Sequence, residues 1–197
     1  MKNSKLIYGF GFNDKTRPAS INSKNTKEYD LWRTMLRRCY SDKFHTKQPT
    51  YIDCTASDNF KNYSYFHDWC NAQIGFGRID ANNRHWQMDK DILIRDNKVY
   101  SEDTCVFIPS EINTFFCDCR ASRGESPLGV YFNKSTGKYL AHCAVNSKTK
   151  YLGRFTTHEE ASTAYKQFKE NLCKELANKW KSQIDSRVYD AMMAWNV

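Results

Sequence analysis

The chain has 197 residues, 15% of them aromatic, a mean hydropathy of −0.77, and 30 Lys and Arg against 22 Asp and Glu for a formal net charge of +8. That length fits one domain or two small ones, and five Trp, twelve Tyr and twelve Phe supply enough ring carbon for packed cores, which argues against global disorder. No run approaches the ~18 uninterrupted apolar residues of a membrane span, and Met1–Lys5 opens no signal-like apolar stretch, so membrane and secreted classes fit poorly and a cytoplasmic location is expected.

Charge is unevenly placed. Residues 1–50 carry 11 basic and 4 acidic side chains, residues 51–124 carry 8 and 11, and residues 125–197 carry 11 and 7. Two basic ends flank a mildly acidic middle. Basic segments suit nucleic acid, because neutralised phosphates release counterions, and they suit plain solubility equally well.

In chain order, the apolar burst Leu6–Phe12 and the polar stretch to Pro18 predict a strand or an extended arm packed on the segments after it. Asn25 with Glu28 reads as a capping box. Tyr29, Trp32, Met35, Leu36 and Cys39 then recur at helical spacing, with Arg33, Arg37 and Arg38 projecting elsewhere. Those arginines suit a phosphate grip or the wet face of an amphipathic helix. A second helix is predicted from Asp58 or Asn59 to Ala72, its stripe of Phe60, Tyr63, Phe66, Trp69 and Cys70 reading as core, and Gly75 and Gly77 end it.

Alternation over Trp86–Ile94 predicts a strand, Asn97-Lys98 a turn, Cys105–Ile108 a second strand, and Pro109-Ser110 the start of a helix through Phe116. Residues 117–126 read as a linker. Three short strands follow (Gly129–Asn133, Tyr139–Val145, Lys150–Phe155) with turns suited to a meander. Thr157 with Glu160 is a capping box that opens a helix whose face is Ala161, Ala164, Tyr165, Phe168, Leu172 and Leu176. A short helix over Ser186–Trp195 closes the chain. The fold class expected is α+β: a strand–strand–helix unit with flanking helices, then a three-stranded antiparallel sheet packed on one helix.

Eight cysteines (39, 54, 70, 105, 117, 119, 143 and 173) are scattered. Without an export signal they read as reduced thiols. A zinc site has no matching spacing, the one close pair being Cys117 and Cys119.

Gly129-Val130-Tyr131, Gly137-Lys138-Tyr139, Ala141, Tyr151-Leu152-Gly153-Arg154-Phe155 and Thr157-x-Glu159-Glu160-Ala161-x-x-Ala164-Tyr165 resemble the Apetala/ethylene-response-factor DNA-binding domain, also found in homing endonucleases. The resemblance implies a sheet laid in the major groove of double-stranded DNA with a helix behind it. Alternation places Val130 and Phe132 on the helix side and Tyr131 and Asn133 on the open face, with His142, Ala144 and Tyr151. Lys134, Lys138, Lys148 and Lys150 suit phosphates. Tyr131, Asn133 and Ala144 replace the family's base-reading arginines and His142 its glutamate, so its base specificity does not carry over.

The segments Tyr8-Gly9, Trp32-x-x-Met35-Leu36-x-Arg38-Cys39-Tyr40, Pro49-Thr50-Tyr51, Asp89-Lys90-Asp91-Ile92-Leu93, Asn97–Ser101, Cys105-x-Phe107 and Asn113 resemble phage HNH endonucleases. That resemblance implies two strands and a helix around one divalent metal, with a histidine base after an Asp on the first strand. Here the pair is Asp89-Lys90, the middle Asn position near Asp103 and Thr104 is not Asn, and Asn113 stands at the third place. Lys90 is an awkward base, because Asp89 and Asp91 favour its charged form.

Two readings stay open. One is a degenerate scaffold that only binds. The other is a nuclease with Asp89, Lys90 and Asn113 as catalytic residues and Mg(II) or Mn(II) on Asp89, Asp91 and Asn113. The expected organisation is an HNH-like domain over 1–118, a DNA-binding domain over 126–180 and a C-terminal helix over 181–197. The expected role is double-stranded DNA binding in a phage or mobile element, with host cytoplasm as its location. The rival is a non-enzymatic phage protein that binds and inhibits a host protein.

Overall fold

The computed structural model describes residues 6–116, 129–145 and 148–197. The fold is α+β, and the chain divides into two compact units. The whole of the expected linker, Cys117 and Cys119 included, lies outside the described residues.

In the first unit a hairpin of β1 (Ser20–Ile21) and β2 (Lys24–Asn25) precedes α1 (Lys27–Tyr40). The helix is capped by Thr26, whose hydroxyl accepts from the Tyr29 amide at 3.2 Å. The expected cap, Asn25, instead ends β2 and donates its side-chain amide to Asp30 at 2.7 Å. Trp32, Met35, Leu36 and Cys39 are buried as the spacing predicts. A short helix α2 (Asp42–His45), a single 3-10 turn at Pro49–Tyr51 and a two-residue strand β3 (Thr55–Ala56) come next.

The expected helix over 58–72 is two helices, α3 (Asp58–Lys61) and α4 (Tyr63–Ala72). The N-terminal arm causes the break. Phe12 donates its amide to the Lys61 carbonyl and accepts from the Tyr63 amide, both at 3.0 Å, so Asn62 is held extended and caps α4. The aromatic stripe is core as expected, with Phe60 and Trp69 ring centroids 4.7 Å apart and the Trp32 indole N–H donating to the Phe60 carbonyl at 2.8 Å.

Strand β4 is Gln87–Asp89, shorter than the expected 86–94. The chain turns at Asp89 because one carboxylate oxygen of that residue accepts the amides of Asp91 and Ile92, each at 2.8 Å. Strand β5 (Val99–Tyr100) runs parallel to β3, and β6 (Val106–Ile108) pairs antiparallel with β4. Helix α5 (Ser110–Phe116) comes directly after β6, which completes the strand–loop–strand–helix order read from the sequence.

The second unit is a meander of β7 (Val130–Asn133), β8 (Lys138–Val145) and β9 (Lys148–Phe155) followed by α6 (His158–Trp180). The Thr157–Glu160 capping box forms as predicted. Val130, Ala141, Cys143, Ala161 and Tyr165 make its core, flanked by Leu152, Phe155 and Phe168. Phe132 differs from expectation. It is half exposed and stacks beside Tyr139, with ring centroids 5.0 Å apart, instead of joining that core.

Helix α7 (Ser186–Ala194) does not stand apart as the expected third segment, for residues 183–188 belong to the first unit and 189–197 to the second. Among the described residues no helix is long and apolar enough to cross a membrane.

Candidate functional site

Two places in the fold collect the residues singled out by the sequence, one in each unit. In the first unit β4, β6 and α5 border a cleft of about 550 Å³ whose walls include Arg38, Tyr51, His85, Trp86, Asp89, Lys90, Asp91, Tyr100 and Asn113. The fold therefore brings Asp89, Lys90, Asp91 and Asn113 to one cavity, although two of them leave the strand at the turn.

Each of these side chains is already bonded within the protein. Burial raises the Asp89 carboxyl above the usual carboxylate range, and the two turn amides oppose that shift. Lys90 is 8% exposed, and its ammonium donates to the Asp91 carboxylate at 2.5 Å and to the Asn97 carbonyl. Asn97 returns a bond from its side-chain amide to the Lys90 carbonyl at 2.7 Å. Asn113 donates to the Gln87 side-chain oxygen at 2.7 Å. Thr104, beside the middle position of the expected triad, is buried and closes the 99–104 turn through the Val99 carbonyl at 2.7 Å.

These bonds bear on the metal that the HNH resemblance implies. A divalent cation needs free carboxylate or carbonyl oxygens converging on it. Here one Asp89 oxygen holds the backbone turn and an Asp91 oxygen faces an ammonium, whereas Asn113 is tied to Gln87 through its NH₂ and not through its oxygen. An ammonium on Asp91 also repels a second cation. That ammonium disfavours Mg(II) or Mn(II) at the Asp91 carboxylate, and among the described residues no group of three or more His, Cys, Asp or Glu is placed to hold a metal. His85, exposed on the cleft wall and bridged to Ile79, stands outside β4 and carries no bond to this cluster.

Buried thiols add no chemistry. Burial pushes Cys39 and Cys105 each up to about 12, which leaves them as thiols rather than thiolate nucleophiles or ligands at neutral pH.

Arg33 and Arg37 are exposed on α1, beside Tyr8, Asp30 and Thr34 around a shallow depression. Arg33 lies over the Tyr29 ring at 5.8 Å and Arg37 over Phe44 at 5.2 Å. Their heads are accessible to solvent, as either reading of that helix face requires.

The second place is the open face of the β7–β9 sheet. Tyr131, His142 and Tyr151 form a strip across the three strands. The Tyr131 hydroxyl is 3.2 Å from a His142 ring nitrogen, and the His142 and Tyr151 ring centroids are 5.2 Å apart. Tyr131 and Tyr151 are 50% and 54% exposed. Asn133 has its side-chain oxygen occupied by the Ser135 amide and hydroxyl, so it shapes the turn and offers only its NH₂ outward. Lys134 is exposed in that turn, and Lys138 donates to the Thr156 hydroxyl at 3.1 Å. Lys148 is exposed at the start of β9. Lys150 pairs with Cys143 and places its ammonium 4.6 Å from the Phe168 ring, on the helix side of the sheet. It is not part of the open face.

Arg154 is the residue that sequence reasoning missed there. Strict alternation puts Tyr151 and Arg154 on opposite faces. A bulge changes this: His142 pairs with Tyr151 and Ala141 with Gly153, so Leu152 is an extra residue that turns into the core. Arg154, opposite Leu140, then shares the open face with Tyr151 and is exposed. The Gly153 next to it, with φ at 149°, was the one local sign of a bulge in the sequence.

Comparison with protein-family models, curated proteins and solved structures returns no match, so geometry and composition carry the functional reading.

Proposed function

We propose that this protein binds double-stranded DNA through the open face of its three-stranded sheet, without cleaving it. One observation carries the reading: residues 129–156 hold Lys134, Lys138, Lys148, Lys150 and Arg154 and not one Asp or Glu. Within residues 129–180 the carboxylates are all on α6, beginning with Glu159 and Glu160 in its first turn, where they favour the helix dipole. A sheet that is uniformly cationic at its rim and aromatic across its centre suits a polyanion whose groove presents apolar as well as polar edges.

Arg154 is the group on this face able to make a forked contact to guanine or phosphate. Tyr131, His142 and Tyr151 offer rings and single hydrogen bonds, which suit the thymine methyl and shape more than a guanine code. The cleft of the first unit supports a binding role over a nuclease, since the Lys90 ammonium and one oxygen each of Asp89 and Asp91 are engaged in holding the 89–97 loop.

Fluorescence anisotropy with a 30-base-pair duplex, titrated from low to moderate salt, tests the reading. Binding that weakens steeply with salt, and by a further factor of about ten or more in Tyr131→Ala/Arg154→Ala, is the expected result. Affinity that is flat in salt, or unchanged in that double variant, would remove DNA as the partner. Supercoiled plasmid incubated with Mg(II), Mn(II) or EDTA is expected to stay intact throughout.

A further inference from the structure

Arg38 lies on the wall of the first unit's cleft and is half-buried. Its partners are neutral. It lies beside the Tyr100 phenol and stands 5.4 Å over the Tyr51 ring. Among the described residues no carboxylate is within ion-pair distance of it. Lys90, which lies 5.8 Å from the ring of the same Tyr100, makes the contrast, for its charge is met by Asp91 at 2.5 Å.

A cation drawn out of water without a counter-charge is costly. A lysine relieves that cost by losing its proton, but a guanidinium does not. Among the described residues that negative charge is missing, and the cleft is where an anion can enter to supply it. A volume of about 550 Å³ is within the range of small-molecule sites. Its walls carry the rings of Tyr51, Phe76 and Trp86, which suit a flat heteroaromatic group. The carboxylates of Asp30, Asp89 and Asp91 on the same walls disfavour a polyphosphate. Lys27 on the same wall is exposed to solvent, whereas the half-buried Arg38 offers one guanidinium fork, which matches one phosphate.

We propose that Arg38 holds a single phosphate group of a nucleotide or polynucleotide in this cleft. The site is separate from the sheet face of the second unit and does not depend on that face binding DNA.

Thermal melts of the full chain test it. Inorganic phosphate, a deoxynucleoside monophosphate, the matching nucleoside and a 5′-phosphorylated oligonucleotide are each titrated at fixed ionic strength. The wild type is expected to gain Tm saturably with phosphate and more with the monophosphate, and not with the nucleoside. Arg38→Lys, which keeps the charge and loses the fork, should need about tenfold more monophosphate for the same gain. Arg38→Met combined with Tyr100→Phe removes the cation and its neutral partner together. That variant should melt no lower than the wild type without ligand, and should gain nothing from any of the probes.

A gain with the oligonucleotide that is lost in the double variant assigns the phosphate to a polynucleotide. A gain confined to the monophosphate assigns a free nucleotide. The assignment is overturned if the wild type does not respond to phosphate or monophosphate, or if the double variant responds equally. It is also overturned if the ligand-free double variant melts well below the wild type or does not fold, because the guanidinium is then a packing element.

Discussion

Lys90→Met is the substitution that separates a structural ammonium from a catalytic one. Methionine keeps most of the buried stem and fills the same space, so little packing is lost. The Asn97 carbonyl loses a charged donor, worth about 1.5–3 kcal/mol. Asp91 loses its ion pair, but its side chain is 51% exposed, so that part is worth only roughly 0.5–1 kcal/mol. Relief from burying an ammonium that is 8% exposed offsets part of both. The net expectation is a destabilisation of about 1–3 kcal/mol, read as a lower urea midpoint at pH 7 with the slope unchanged. Lys90→Ala adds a cavity and should cost a further ~1–2 kcal/mol. Plasmid incubated with either variant should look like plasmid incubated with the wild type. A Lys90→Met protein as stable as the wild type or more so would refute the reasoning, for it would mean that the cation is kept against stability, as a group retained for chemistry is.

Three further expectations can be checked by denaturation. Gly129 has φ at +69°, and a Cβ there would come within 2.3 Å of both the His142 carbonyl oxygen and the Tyr165 ring; Gly137, at φ +63°, has open space around the same position. Gly137→Ala should therefore cost about 1 kcal/mol of backbone strain, whereas Gly129→Ala adds a clash for a total of roughly 2–4 kcal/mol, and equal losses would show that the contact is not tight. Asp14 is held down to about 2 by the Ser64 hydroxyl and neighbouring donors, and Asp68 to about 2 by Arg17 and then His67. Both folded values lie below the ordinary carboxylate range, so the stability they contribute is complete above about pH 4 and is lost as pH falls through about 2. Urea midpoints from pH 5 to pH 2 should fall less steeply in Asp14→Asn/Asp68→Asn. Thr157→Ala, which removes one half of the capping box, should cost about 1 kcal/mol in the second unit.

What the sequence made legible was periodic and local. The stripe from Phe60 to Cys70, the Thr157–Glu160 box and the order of β4, β6 and α5 are all written in spacings of two, three or four residues, and they formed. Three features were decided by partners far along the chain or by an irregular strand. The helix break at Asn62 depends on Phe12, fifty residues earlier, so neither segment alone announces it. Phe132 sits at a core-facing position of an edge strand yet stacks on Tyr139, because alternation sets direction and not cover. The face of Arg154 was set by a bulge, and a one-residue insertion reverses every later assignment on a strand. At the candidate site the polar residues themselves were visible from sequence. Their partners were not: that Lys90 bonds to Asn97, or that Arg38 meets only phenol rings, is a fact of tertiary placement.

The cleft and the sheet face present their polar groups in different ways. On the sheet face, polar groups are left outward: Arg154 has an open fork, and Tyr131 and Tyr151 expose half of their surface. At the strand–turn–strand–helix positions, polar groups are turned inward and paired. Asp89 caps a turn, Lys90 ties the loop at Asn97, Thr104 closes the next turn, and Asn113 fastens α5 to β4 through Gln87. A hydrolytic site needs groups held rigid with their reactive atoms unpaired toward substrate, whereas in this set the Lys90 ammonium and one oxygen each of Asp89 and Asp91 are spent on rigidity. Among the described residues Arg38 is the half-buried cation of the cleft without a carboxylate at ion-pair distance, Lys27 on the same wall being exposed, and it stands on α1 and outside that strand–turn–strand–helix set. On the proposed reading that guanidinium makes the cleft one that grips an anion.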